Sequence, residues 1–290
     1  LVALSIQRQV ILVPEDPLAE FTGTIIDPAV NPEQANKAVR ELTRPPVPLM
    51  PSLPADTVTL PGGFLDDDGV LHTEARIREI NGSDEEAMAR ELRNPTVNIP
   101  KVVDLILKRC VLSVGTHGST PQLLLQMLTG DRSALMLAIR ILTFGSDWEV
   151  PDFPCRLCNR TFGVVVELDK DISIQEMENP RVQDIEVSLR NGHLALVHML
   201  TGAVQLEMVG DGNRTGPEEA TIAIDRSIRS LDGNPVMGHV AQKMSMADRR
   251  KIIQAMTDAQ PGPRMEEVMV TCTECGQEAA YQFNLVDLFR

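Results

Sequence analysis

The stretch Cys155-Arg156-Leu157-Cys158-Asn159-Arg160-Thr161-Phe162 decides how the chain is read, because its pattern returns near the end as Cys272-Thr273-Glu274-Cys275-Gly276-Gln277, 117 residues on. Each pair runs into an alternating segment. Phe162, Val164, Val166 and Leu168 follow the first pair, and at the same offset Tyr281, Phe283 and Leu285 stand where Val164, Val166 and Leu168 stood. That period of two predicts a half-buried strand after each knuckle. A two-residue spacer lets both thiolates of one knuckle reach one Zn²⁺ at about 2.3 Å, and two knuckles complete a closed tetrahedral site. Such a site is structural, since no coordination position stays open. Cys155, Cys158, Cys272 and Cys275 are therefore the candidate ligands of one Zn²⁺. A redox pair is the rival reading, but there a helix N-terminus usually lowers one thiol pKa, and here each pair leads into a strand.

Working outward, the same offset lays Asp131-Arg132 on Asp248-Arg249 and Ala138 on Ala255. An offset near 120 lays Ile80-Asn81-Gly82 on Leu200-Thr201-Gly202. These agreements predict an α+β fold with an internally duplicated core, each half a β-hairpin, helices and a CxxC knuckle with its strand. Coincidence is the competing reading, because helical sequence offers many weak self-matches. The halves are set at residues 56–172 and 173–290, stapled by the metal. A Pro-rich extended arm, residues 1–55, precedes them.

The individual elements follow from punctuation and periodicity. Nine of the 20 prolines fall before Ala55, which favours extended chain there. One short helix is expected in that arm, from Asn31-Pro32 through Ala35, Ala38, Val39 and Leu42. Short strands are expected around Val58 and Leu60, Val70-Leu71 and Ala75 to Ile80, with a turn at Pro61-Gly62-Gly63 and a solvated acidic loop at Asp66 to Asp68. Ser83 is read as a cap, with Glu86 completing a capping box. Val102, Val103, Ile106 and Cys110 make one helix face from Asn98, which places Cys110 in the core. A helix from Thr120-Pro121 should stop at Gly130, and the next, capped by Asp131, should bury Leu135, Ala138, Ile139 and Leu142 up to Gly145. In the second half, Val187 to Leu189 and Leu194 to Met199 read as strands. There the helical hairpin of residues 99–130 is expected to be largely replaced by a loop at Gly210 to Gly216, a short helix Glu218 to Ser230 and a Gly/Pro-rich stretch to Gly238.

Composition narrows the function classes. With 41 acidic against 27 basic residues and a net charge of -14, the chain is poorly suited to neutralising phosphates or docking on an anionic membrane. Aromatics at 3% argue against base-stacking platforms and aromatic cages. No apolar run long enough to span a bilayer is present, and the opening Leu1 to Val13 is not read as a secretory signal. Other chemical patterns are weak. Gly115-Thr116-His117-Gly118-Ser119-Thr120 lacks the lysine of a phosphate loop. His72, His117, His193, His198 and His239 are read as packing or surface residues, with His72, His117 and His239 in separate loops or strand starts. Asp211, Asn213 and Asp66 to Asp68 lack the spaced ligands of a calcium loop. Since no nucleophile, base and oxyanion donor assemble, no catalytic residue is named and an enzyme is not expected.

Glu74-Ala75-Arg76-Ile77-Arg78-Glu79-Ile80 with Asp84-Glu85-Glu86, then Leu105 to Cys110, Leu128-Thr129-Gly130-Asp131-Arg132 with Ala138 to Gly145, and finally the two knuckles form an ordered set. In that order and spacing the chain resembles the T4-type bacteriophage base plate protein family over about residues 56–290. The resemblance implies a virion protein of the tail baseplate or tail tip, assembled in the host cytoplasm. Its expected partners are other tail proteins and copies of itself, with no nucleic acid, membrane or small-molecule substrate. A hub-assembly chaperone is the alternative role within the family. A zinc-ribbon module binding nucleic acid or a transcription complex is the alternative of another class, disfavoured by the acids around both knuckles, among them Asp152, Glu167, Glu274 and Glu278.

Overall fold

In the computed structural model the described residues are 55–93, 98–155, 157–210, 212–265, 268–280 and 285–289. The expected arm with its short helix lies outside them. Strand β1 (Ala55–Leu65) pairs antiparallel with β2 (Leu71–Arg78), and its register breaks between Thr59 and Phe64. The expected turn at Pro61-Gly62-Gly63 is therefore an irregularity inside β1. The chain reverses only at Asp66 to Val70, where Asp66 Oδ1 accepts the N–H groups of Asp68 and Val70. Helix α1 (Gly82–Leu92) is capped by Asn81, not Ser83. The Asn81 side chain takes the N–H of Asp84 while Asp84 takes that of Asn81, the reciprocal capping box two positions earlier than expected.

Helix α2 (Ile99–Cys110) starts at Asn98 as expected and buries Val102, Val103, Ile106 and Cys110. Strands β3 (Val111–Val114) and β4 (His117–Gly118) complete a sheet of order β1-β2-β3-β4. Helix α3 (Pro121–Gln126) ends earlier than expected, and Gly130 belongs to the first turn of α4 (Thr129–Phe144). Asp131 is not the cap of α4; it is fully buried in that turn. Leu135 and Ile139 are buried, whereas Ala138 and Leu142 are only partly so. Strands β5 (Asp147–Pro154) and β6 (Thr161–Glu167) then form the first knuckle hairpin.

Beyond β7 (Ile174–Gln175), strands β8 (Asp184–Ser188) and β9 (Leu194–His198) open a second sheet. Helices α5 (Gly202–Val209) and α6 (Gly216–Ser227) lead to β10 (Ile228–Leu231) and β11 (Asn234–Pro235), giving the order β11-β10-β9-β8. The short helix expected from Glu218 is present as α6, with twelve residues like α2, whereas the place matching α3 holds only a 3-10 turn, Ala241–Lys243, so the hairpin is reduced as expected but its first helix is kept. The expected helix also ran too far: Ile228 begins a strand whose two-residue turn, Asp232-Gly233, takes φ of 49° and 77°. Helix α7 (Met246–Ala259), strand β12 (Gly262–Pro263) and the hairpin of β13 (Met269–Thr271) with β14 (Glu278–Ala280) follow.

Pairing in the two sheets runs in step. Ala75, Arg76 and Ile77 face Val114, Ser113 and Val111, while Ala195, Leu196 and Val197 face Leu231, Ser230 and Ile228. Ser113↔Gly118 and Val114↔His117 have their likeness in Ser230↔Pro235 and Leu231↔Asn234, each position 117 residues on. Each sheet has its own core. Ile77, Leu107, Leu124 and Leu135 pack under the first, and Val197, Ile224, Ile252 and Met256 under the second. A third cluster, with Trp148, Phe153, Phe162, Val166, Val268 and Val270, surrounds the knuckles.

Candidate metal centre

Both knuckles turn in the same way. The Cys155 N–H reaches Arg160 O at 2.8 Å and the Asn159 N–H reaches Cys155 O at 2.9 Å; 117 residues on, Cys272 N–H reaches Gln277 O at 2.9 Å and Gly276 N–H reaches Cys272 O at 2.8 Å. The fifth residue of each turn needs the left-handed region, and Asn159 and Gly276 supply it with φ of 57° and 69°. Asparagine and glycine enter that region at the least steric cost. Hydrophobic residues of β5, β6 and β13 hold the turns face to face. The Arg160–Glu274 ion pair, 2.8 Å, bridges them at the surface.

This arrangement brings all four sulfurs within 4.8 Å of one another. Across the knuckles, Cys155 Sγ stands 3.8 Å from Cys275 Sγ and Cys158 Sγ stands 3.9 Å from Cys272 Sγ. A disulfide would need about 2.0 Å, whereas the sulfurs of a tetrahedral site with metal–sulfur bonds of about 2.3 Å lie about 3.8 Å apart. The donor set fits a soft, four-coordinate cation. Electrostatics agrees with that. Backbone N–H groups of Cys158 and Leu157 pull the Cys155 thiol down to about 6. At Cys275 the Gln277 backbone also pulls downward, but desolvation and the neighbouring sulfurs prevail and push the thiol up. The Cys155 thiolate thus forms readily and opposes ionisation of Cys158 and Cys275, a charge that a cation would offset.

The charged residues of the ordered set quoted above are placed for holding the fold. Arg78 and Arg109 converge on the buried Asp84 at 2.6 and 2.5 Å. Burial opposes ionisation of Asp84, yet the Arg78 pair and the Asn81 N–H outweigh it and keep the carboxyl below its ordinary range. Arg132, buried, donates to Leu124 O at 2.6 Å and lies against Gly202, where a Cβ would come within 2.7 Å of the guanidinium. Arg140 ties α4 to the chain end through Leu288 O at 2.6 Å. The model of the family described as T4 bacteriophage base plate protein matches residues 65–290.

The chain belongs to the T4 bacteriophage base plate protein family.

No curated protein and no solved structure matches it. Membership gives this base plate protein a structural role in the phage tail, among other tail proteins, and suggests a non-enzymatic one. Among the described residues no helix is long and apolar enough to cross a membrane. In this base plate protein Cys110 is fully buried, and burial pushes its thiol up to about 11, away from any reactive role.

A second grouping was not foreseen. His72 and His117, read as belonging to separate segments, meet on one oxygen of Asp66, with Nε2–Oδ2 distances of 2.9 and 3.1 Å. Hydrogen bonds from His72 and then from the Val70 backbone hold Asp66 well below the usual carboxylate range. The local signal was the Asp66-to-His72 spacing across a tight hairpin; His117 arrives only through the pairing of β2, β3 and β4. The other three histidines each contact one aspartate: His193 with Asp232, His198 with Asp184 and His239 with Asp225.

Proposed function

We propose that the protein is a structural subunit of the tail baseplate or tail tip, in its hub or wedge, that stays in the finished particle and meets other tail proteins and copies of itself. The observation that carries this is the Pro-rich segment ahead of the family match: nine of 20 prolines precede Ala55, while the match begins at residue 65. Proline lowers the entropy lost when a segment is fixed, which suits an arm woven into permanent neighbours. A chaperone must let go of its client. A net charge of -14 suits contacts with basic patches of neighbouring subunits. Quantitative mass spectrometry of purified particles tests the reading. It expects the protein in fixed ratio to other baseplate subunits; presence in infected cells but absence from particles would overturn it in favour of a hub-assembly chaperone.

In this reading Cys155, Cys158, Cys272 and Cys275 hold one structural Zn²⁺. The cross-knuckle spacings of 3.8 and 3.9 Å support it, and the metal would supply a rigid link between distant parts of the chain. The core is read as two copies of one unit, residues 56–172 and 173–290, behind the arm of residues 1–55. Support comes from the matched sheet registers and knuckle turns. It also comes from Asp131 and Asp248, which occupy the first turns of α4 and α7. Each takes a backbone N–H from its half's opening hairpin, Gly62 at 2.7 Å and Arg190 at 2.8 Å.

A further inference from the structure

The geometry points to a second metal site, built by Asp66, His72 and His117 at the tip of the first sheet, that takes a divalent first-row transition cation such as Zn²⁺ with solvent completing its coordination. Three segments supply the three donors: the β1–β2 turn, the start of β2 and β4. Their ligand atoms lie within 4.8 Å of one another. With metal–ligand bonds of 2.0–2.2 Å, neighbouring donor atoms stand roughly 3.0–3.5 Å apart. Of the two Nε2–Oδ2 spacings, 3.1 Å lies within that window and 2.9 Å just below it.

The surroundings orient these donors. Asp66 Oδ1 is occupied by the N–H groups of Val70 at 2.7 Å and Asp68 at 3.1 Å, which aims Oδ2 at the two imidazoles. A ligating carboxylate is usually held in this way, by hydrogen bonds to it from the surrounding chain. Gly115 makes room for the ring: a Cβ there would fall 2.1 Å from His72 Nδ1, and its φ of 54° suits glycine. The rings of His72 and His117 meet edge to face, with centroids 4.8 Å apart. His72 is 8% and Asp66 12% exposed, while His117 is 44% exposed and leaves an entry path from solvent. Asp67 and Asp68 beside it are exposed and add negative charge. Two imidazole nitrogens exclude a site tuned for Ca²⁺ or Mg²⁺, which take oxygen donors.

The second sheet does not repeat the arrangement. At the position matching His117 in the strand pairing stands Asn234. The site therefore distinguishes the first half's tip from the second's, and it stands independently of the cysteine centre.

The test uses the full chain, stripped of metal and titrated with Co²⁺ and then Zn²⁺. Sulfur-ligated Co²⁺ shows intense thiolate charge-transfer absorption, whereas a site of two histidines and a carboxylate shows only weak visible bands. The expected result for the wild type is one equivalent with the nitrogen/oxygen spectrum. In His117→Ala and Asp66→Asn the affinity of that equivalent should fall by at least about 100-fold, with any sulfur-type absorption unchanged. His117 is exposed enough for its variant to keep the fold, and an unchanged metal-free melting curve checks this. A wild type lacking the nitrogen/oxygen spectrum, or a His117→Ala chain that binds as tightly as wild type, overturns the proposal. Loss of the sulfur spectrum alone would count against the cysteine centre and leave this site standing.

Discussion

Gly130 shows how much one hydrogen can carry. A methyl group there would sit 1.5 Å from the carbonyl oxygen of Pro261 and 2.5 Å from its carbon, so α4 and the chain before β12 touch backbone to backbone. In an unencumbered helix, replacing glycine by alanine stabilises by up to about 1 kcal/mol. Here the obstacle is main chain, which cannot rotate away. Overpacking of this kind costs about 1–3 kcal/mol and more when backbone must move. Gly130→Ala should therefore destabilise by at least about 2 kcal/mol net, read as a lower urea midpoint at unchanged slope. Gly82→Ala is the matched control, because nothing lies within 4 Å of a Cβ in the first turn of α1. It should be neutral or slightly stabilising, and equal effects at the two positions would refute the contact.

At the scale of elements, the bond between α4 and β1 explains both the misread turn and the misread cap. Asp131 Oδ1 takes the Gly62 N–H across 69 residues, and Oδ2 finds no hydrogen-bond partner among the described residues. Burial raises the Asp131 carboxyl to about 6 from 3.8, against the pull of the Gly62 and Gly63 N–H groups. A folded-state pKa above the unfolded value gives stability that is complete below pH 3.8 and is lost as pH rises through 6. That is a difference on the order of 3 kcal/mol between the ends of this window. Asp131→Asn cannot ionise, so the stability of wild type relative to the variant should fall from pH 4 to pH 7. A flat difference in urea unfolding across that range would sink the assignment. Local signals made α2 legible, with Asn98, Pro100 and its apolar stripe all within one helix. The irregularity at Gly62 and the meeting of His72 with His117 were not, because a side chain 69 residues away and a strand pairing decide them. The two cysteine pairs were legible from spacing alone, while their meeting in one cluster depended on tertiary packing.

For the whole molecule, the distribution of cores decides what removal of the proposed zinc should do. The knuckle hairpins bury Trp148, Phe153, Phe162 and Val270 around the cysteines, and Leu137 of α4 joins them there. The second sheet keeps an apolar core of its own in Val187, Val197, Ile224, Ile252 and Met256. A structural zinc contributes its binding free energy to folding, and a loss of even about 4 kcal/mol lowers Tm by roughly 8–16 °C for a chain of this size class. A strong chelator should therefore lower Tm by at least about 8 °C. Amide exchange should accelerate first in residues 147–167 and 269–280, while the strands Asp184–Ser188 and Leu194–His198 keep their protection. His117→Ala, which spares the cysteines, should retain most of the chelator-sensitive Tm, separating the two proposed centres in one experiment. Uniform acceleration across the chain, or protection first lost in the second sheet, would contradict a metal that acts by holding the two knuckles together.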